Sequence, residues 1–202
     1  MKNSYSYIDP EYVYTDSETG VLRNKANIND RNLLTAFESI KVGLRLEELL
    51  QNPIKIKNHS SLFEIHKHLF QDVYQWAGLP RTVEISKDGT PFFPRKRFSS
   101  AYIYIDTLIL AYRSIARGDK QKIAHKLAEI LDTVNYLHPF REGNGRTQRE
   151  FVRLLGLEKK VLLNLNPPDN TDIYERYMRG TIDGDIEKLS ALILEIISKK
   201  PN

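Results

Sequence analysis

The chain has 202 residues, 41% hydrophobic and 28% charged, which fits one globular domain able to bury a core without covalent staples. The lack of cysteine excludes a disulfide framework, a zinc–thiolate site, an iron–sulfur cluster and a cysteine nucleophile, and it suits a reducing compartment. A charge of +4 is too small to mark a duplex-DNA binder, and with no apolar run near the ~20 residues of a membrane span the expectation is a cytoplasmic protein without a membrane anchor.

Residues 1–29 have no clear period and read as an extended, surface-hugging lead-in to a single domain covering 1–202. Asp30 reads as an N-cap, and Leu33, Phe37, Ile40 and Leu44 then recur on one helical face until Pro53. Ser61-Leu62-Phe63-Glu64 has the spacing of a capping box, opening a helix that buries Leu62, Ile65, Leu69, Val73 and Trp76 before Gly78 and Pro80 break it. Val83 and Ile85 alternate with polar neighbours, Asp88-Gly89 signals a tight turn, and Pro91 and Pro94 confine the returning strand to an edge. A helix rich in Tyr, Ile and Leu is expected from Ser99 to Arg117, closed by Gly118. Asp119 caps the next, whose apolar face is Ile123, Leu127, Ile130, Leu131, Val134 and Leu137, and Pro139 ends it. A helix through Phe151, Leu154 and Leu155 follows, then two more beyond Pro167-Pro168, the last with Leu189, Leu192, Ile193, Ile196 and Ile197 on one face. The fold class is all-α with one small β-hairpin.

The stretch from His138 to Arg149 joins two helices with an imidazole, a carboxylate, an amide, two glycines and two arginines. Gly143 and Gly145 allow backbone shapes that bare N–H groups where a helix begins, and the positive end of that helix points the same way, which makes an anion site. Arg146 and Arg149 are neighbours on the new helix, and both can fork onto phosphate oxygens. Glu142 is a hard oxygen ligand of the kind that holds Mg²⁺ beside a phosphate. His138 has the ordinary pKa, about 6.5, that suits proton abstraction near neutral pH.

These residues resemble the signature of the Fic (filamentation induced by cAMP) family, His-x-Phe-x-Asp/Glu-Gly-Asn-Gly-Arg-x-x-Arg, at every defined position. The stretches from Ile65 and from Ser86 resemble the upstream part of the same domain. The resemblance implies a Fic fold and transfer of AMP from ATP to a Ser, Thr or Tyr hydroxyl of a target protein. By the same resemblance His138 is the catalytic base, Phe140 a core anchor and Glu142 the Mg²⁺ ligand. Asn144 holds the α-phosphate, Gly143 and Gly145 supply backbone donors, and Arg146 and Arg149 bind the β- and γ-phosphates. Tyr174 and Tyr177 flank the adenine. Related Doc toxins, which are kinases, carry Lys where this chain has Gly145, so Gly145 favours adenylyl transfer over the kinase alternative.

The family resemblance further makes the hairpin a flap that docks an extended target segment by strand addition, with Lys87, Asp88, Gly89 and Thr90 nearest the site. Many Fic proteins carry an inhibitory Ser/Thr-x-x-x-Glu-Gly/Asn helix. Here Ser60 to Glu64 is followed by Ile65, and Thr171 to Glu175 by Arg176, so the motif is not completed. The implied regulator is a separate small antitoxin, as for FicT-type toxins, whose targets include type II topoisomerases. A non-enzymatic nucleotide- or nucleic-acid-binding module is the reading from a different class. His59, His66, His68 and His125 read as core or surface histidines and not as a metal site, because no His-Glu-x-x-His spacing joins them.

Overall fold

The computed structural model describes residues 5–9, 11–87 and 89–199. Among them are a three-stranded sheet and seven helices. The strands are β1 (Tyr5–Ile8), β2 (Glu84–Lys87) and β3 (Thr90–Pro91). The helices are α1 (Arg31–Gln51), α2 (Ser60–Phe70), α3 (Phe98–Ser114), α4 (Lys120–Leu137), α5 (Asn144–Glu158), α6 (Thr171–Asp183) and α7 (Ile186–Ser198).

The core is built around α4, which packs against α3, α5 and α7, while α2 packs against both α5 and α1. All six predicted apolar residues of α4 are buried, and Ile123, Leu127, Ile130 and Leu131 are sealed off completely. Asp119 and Asp30 cap α4 and α1 as expected, accepting from the Lys122 and Leu33 backbone N–H groups at 3.1 and 2.8 Å. On α7, Leu189, Leu192, Ile193 and Ile197 are buried.

Four expectations need correction. The face of α1 that packs inward carries Leu34, Glu38, Val42 and Leu49, whereas Leu33, Ile40 and Leu44 are more than half exposed. This helix is apolar on two sides, so spacing alone picks the wrong one. Ser61 forms no capping box: the chain enters α2 already helical at His59, and the Ser61 hydroxyl accepts from the Lys57 N–H at 2.9 Å. That helix ends at Phe70, so Val73 is buried and Trp76 half-buried in the turns that follow. Finally, α3 stops at Ser114 because Ile115 turns extended, short of Gly118.

The hairpin is joined by a third strand. β1 pairs antiparallel with β2 from Tyr5–Lys87 to Ile8–Glu84, and β2 pairs with β3 at Ser86–Pro91 and Lys87–Thr90. The lead-in is thus more than a surface strap. Tyr14 and Val21 are buried, and Tyr14 packs with Val83 and Ile85 in a small second core beneath the sheet. Gly89 makes the turn with φ +83°. Asp88 lies outside the described residues.

Candidate active site

Helix α4 ends at His138 with a left-handed backbone (φ 45°, ψ 60°), a conformation that costs a non-glycine residue free energy and persists when its surroundings fix it. The surroundings do so. The His138 N–H donates to the Val134 carbonyl at 3.1 Å, and its own carbonyl accepts from Arg81 Nε at 2.8 Å. The ring stacks on Phe92 with centroids 3.7 Å apart. Its Nδ1 lies 3.1 Å from the Asn135 carbonyl. A carbonyl only accepts, so Nδ1 carries the proton and Nε2 the lone pair. Burial pushes the imidazole down to about 3, and the Arg81 and Lys87 charges push the same way. The ring is neutral at physiological pH.

Arg81 anchors more than His138. Its fully buried guanidinium also donates to the Val83 and Phe93 carbonyls at 2.7 and 2.6 Å and pairs with Glu84 at 2.9 Å. One side chain therefore ties the root of the hairpin to the signature loop.

Phe140 is the expected core anchor, 1% exposed, stacked on His66 at 3.8 Å and edge-on to Phe63. His66 is a second brace for the loop. The Gly78 N–H donates to its Nδ1 at 2.8 Å, so Nε2 carries the proton and donates to the Glu142 carbonyl at 3.0 Å. Gly143 begins α5 with φ +82°, and a Cβ there would lie 2.2 Å from the Phe70 ring. Both conformation and packing require glycine. Gly145, by contrast, sits in the first turn of α5 without a positive φ, and its nearest neighbour is the Arg149 guanidinium, 3.4 Å from where a Cβ would be. Its value is space beside that arginine.

The resemblance gave the Asn144 amide to the α-phosphate, but the structure spends both of its polar groups on the loop. Its Oδ1 accepts from the Phe140 N–H at 2.9 Å, and its Nδ2 donates to the Phe140 carbonyl at 2.8 Å. The side chain is a staple, and the backbone N–H of Asn144 lies in the first turn of α5. Glu142 accepts from the Gly143 N–H at 2.9 Å and keeps 38% of its side chain exposed.

A cavity of about 730 Å³ gathers these groups, a volume suited to a small-molecule ligand. Lys87, Thr90, Pro91 and Phe92 form its flap side, and His138, Glu142, Gly143, Gly145, Arg146 and Arg149 its floor. Tyr174 and Tyr177 of α6 close the far wall, with the Arg149 guanidinium 5.5 Å from each ring centroid. Gln148 donates to the Tyr177 hydroxyl at 2.6 Å and fixes that ring. Of the predicted flap residues, Lys87 and Thr90 reach the cavity and Gly89 does not line it. Sequence reasoning missed Glu38, His66, Phe70, Tyr74, Arg81 and Phe92. None sits in the signature, and each acts through a contact far away in the chain.

Residues 57–155 match the Fic/DOC family. The protein adenylyltransferase VbhT of Bartonella schoenbuchensis is 41% identical over 185 residues, 89% of this chain and 38% of VbhT, so the chain spans well under half of that relative. The probable protein adenylyltransferase y4lH of Sinorhizobium fredii is 32% identical over 180 residues, 89% of this chain and 92% of y4lH. In fold, the chain superposes with a TM-score of 0.80 on the crystal structure of BepC, a VirB-translocated effector protein of Bartonella tribocorum with bound AMPPNP, at 20% identity over 94% of this chain and 98% of that one. With its signature loop, its helical fold and a 32%-identical relative matched along nearly its whole length, the chain belongs to the Fic/DOC family.

Proposed function

We propose that this chain is a protein adenylyltransferase that moves AMP from ATP to a Ser, Thr or Tyr hydroxyl of another protein and releases pyrophosphate. The observation that carries the reading is a neutral imidazole, with its Nε2 unprotonated, on the wall of a cavity that also holds two arginines and a helix N-terminus. VbhT and y4lH carry the same activity in their names.

The target hydroxyl oxygen attacks the α-phosphorus, and the bond from that phosphorus to the α,β-bridging oxygen breaks. The hydroxyl proton passes to His138 Nε2, and pyrophosphate leaves with the electron pair. Burial keeps His138 unprotonated beforehand, and the negative phosphates of bound ATP raise its basicity in the complex. Backbone N–H groups at the start of α5 and the guanidinium groups of Arg146 and Arg149 offset the charge on the phosphates. Tyr174 and Tyr177 supply an aromatic wall for the adenine.

Glu142 fits a Mg²⁺ site because its carboxylate is exposed to the cavity and held by one N–H. No cluster of three or more His, Cys, Asp or Glu that would hold a metal occurs among the described residues, so Glu142 would share the ion with phosphate oxygens and water, the usual Mg²⁺ arrangement. When bound, Mg²⁺ neutralises charge on the phosphates.

The flap docks the target. Among the described residues, β2 is paired on both sides, which leaves the edges of β1 and β3, and the edge beside the cavity is that of β3, next to Lys87, Gly89 and Thr90. Restraint by a separate antitoxin, a type II topoisomerase as target and a cytoplasmic site of action complete the proposal; the first rests on the uncompleted inhibitory motif, the second on subfamily likeness and the third on composition. No helix among the described residues is long and apolar enough to cross a membrane.

Incubation with α-labelled ATP, Mg²⁺ and cell lysate tests the reaction. A protein band labelled by the wild type and lost in His138→Ala is the expected result. Label arriving from γ-labelled ATP instead would establish a kinase, and ATP binding without transfer would leave a binding module. Activity of the purified chain alone, before any antitoxin is added, checks the regulatory part.

A further inference from the structure

Against Arg146 lies a buried acid that the signature does not contain. Glu38 of α1 is 8% exposed, and its Oε1 lies 2.5 Å from Arg146 Nη2. Its Oε2 accepts from the Tyr74 hydroxyl. Tyr74 is itself buried and stacked on Trp76 at 4.3 Å. The Arg146 guanidinium rests 4.7 Å above the Phe70 ring, the same ring that occupies the space beside Gly143. Glu142 stands 3.7 Å from the same Nη2.

A buried ion pair of this kind is a poor device for stability, since desolvating two charges offsets most of their attraction. It is a good device for orientation. One nitrogen of Arg146 is pinned by Glu38 and the group packs over the Phe70 ring, while the residue also lines the cavity. A flexible arginine must give up side-chain entropy when it grips a phosphate, and a pinned one has already done so.

We propose that Glu38, held by Tyr74, is a positioning residue that pre-orients Arg146 for the phosphates beyond the α-phosphate. This rests on the reading of Arg146 as a polyphosphate ligand. Glu38 touches no substrate and takes no part in proton transfer.

The test compares ATP and AMP binding to the full chain by calorimetry, with thermal unfolding of each variant recorded alongside. Glu38→Gln keeps shape and removes the charge. It is expected to weaken ATP about ten-fold, the worth of the side-chain entropy no longer surrendered in advance, and to leave AMP unchanged. Tyr74→Phe, which removes the hydroxyl alone, is expected to act in the same direction with a smaller loss, and it serves as the readout if Glu38→Gln does not fold. Equal weakening of ATP and AMP would reduce Glu38 to a structural role and overturn the inference. Tighter ATP binding would overturn it too, by making Glu38 a competitor of the phosphates. Arg146→Ala separates this from the underlying reading. If that variant does not lose its preference for ATP over AMP, the assignment of Arg146 fails. If it loses the preference while Glu38→Gln keeps it, the positioning role alone fails.

Discussion

The signature loop and the flap face each other across one cavity and are built in opposite ways. The loop is tied at nearly every residue: His138 by Asn135, Arg81 and Phe92, Phe140 by Asn144, Glu142 by His66, and Arg146 by Glu38. The flap ends in a two-residue strand, Thr90–Pro91, both residues exposed, turning at an exposed glycine. A group that takes a proton must already be in place, because rearrangement during the reaction raises the barrier. A surface that receives a protein strand needs accessible backbone and gains nothing from burial. Arg81 joins the two, so that the flap is anchored at its root and open at its tip.

The contrast can be broken at the loop first. His138→Ala should cost ~10²–10⁴-fold in AMP transfer while ATP binding measured by calorimetry stays close to that of the wild type. Loss of ATP binding to the same extent would mean that the imidazole holds the nucleotide and does not act as the base.

Phe140→Ala should lower folding stability by ~3–5 kcal/mol, the usual cost of removing a fully packed aromatic ring, in a denaturant titration. Thr90→Ala on the flap should stay within ~0.5 kcal/mol, as surface changes do. Similar costs at the two positions would erase the difference between a rigid floor and an open edge.

Acid should act on the loop. Burial holds both His66 and His138 down to about 3 in the folded protein, below the ordinary 6.5. Below pH 6.5 the unfolded chain therefore binds more protons than the folded one. Their contribution to stability is complete above pH 6.5 and is lost progressively as pH falls toward 3, by roughly 1–2 kcal/mol per histidine near pH 5. Denaturant midpoints measured between pH 7 and pH 5 check the sign, and His138→Ala should show about half the wild-type slope. A stability that rises on acidification would contradict the burial argument.

Thr90→Pro tests the tip. Thr90 pairs with Lys87, two residues before the Phe92 N–H that donates to the Ile85 carbonyl, so its own N–H faces β2, and proline there loosens the hairpin that presents the β3 edge. At about 1 kcal/mol net for each hydrogen bond lost, the KM for a protein target should rise some five- to ten-fold while ATP affinity is unchanged. An unchanged KM would move target docking away from this edge. The smallest effect is expected on the outer face of α1, where Ile40→Ser should change stability by no more than ~0.5 kcal/mol.

The parts of this molecule readable from its sequence are those set by local spacing. Asp30 and Asp119 stand directly before their helices, and the apolar residues of α4 recur every three or four positions because that helix is enclosed by neighbours. The twelve residues from His138 to Arg149 announce the site, because a glycine-flanked helix start with two arginines has few other uses. What spacing could not show is which of two apolar faces of α1 turns inward, since Leu33 and Leu34 fit a helical period equally well. It could not show that residues 5–8 find a partner near 84–87, because pairing across that distance leaves no local pattern. The supports of the loop escaped for the same reason. Glu38 is a surface-looking acid in sequence, and only the packing of α1 against α2 brings it to Arg146, 108 positions away. Asn144 is the instructive case: the motif marks it as a site residue, yet its side chain serves the backbone of Phe140.

Transfer of AMP by the loop, with His138 taking the proton, leaves a covalent mark on the target. Intact-mass spectrometry of a target protein after incubation with ATP and Mg²⁺ tests it most directly. The target should gain the mass of one AMP group with wild type and none with His138→Ala. A gain of one phosphoryl group, or an AMP gain undiminished in the variant, would contradict it.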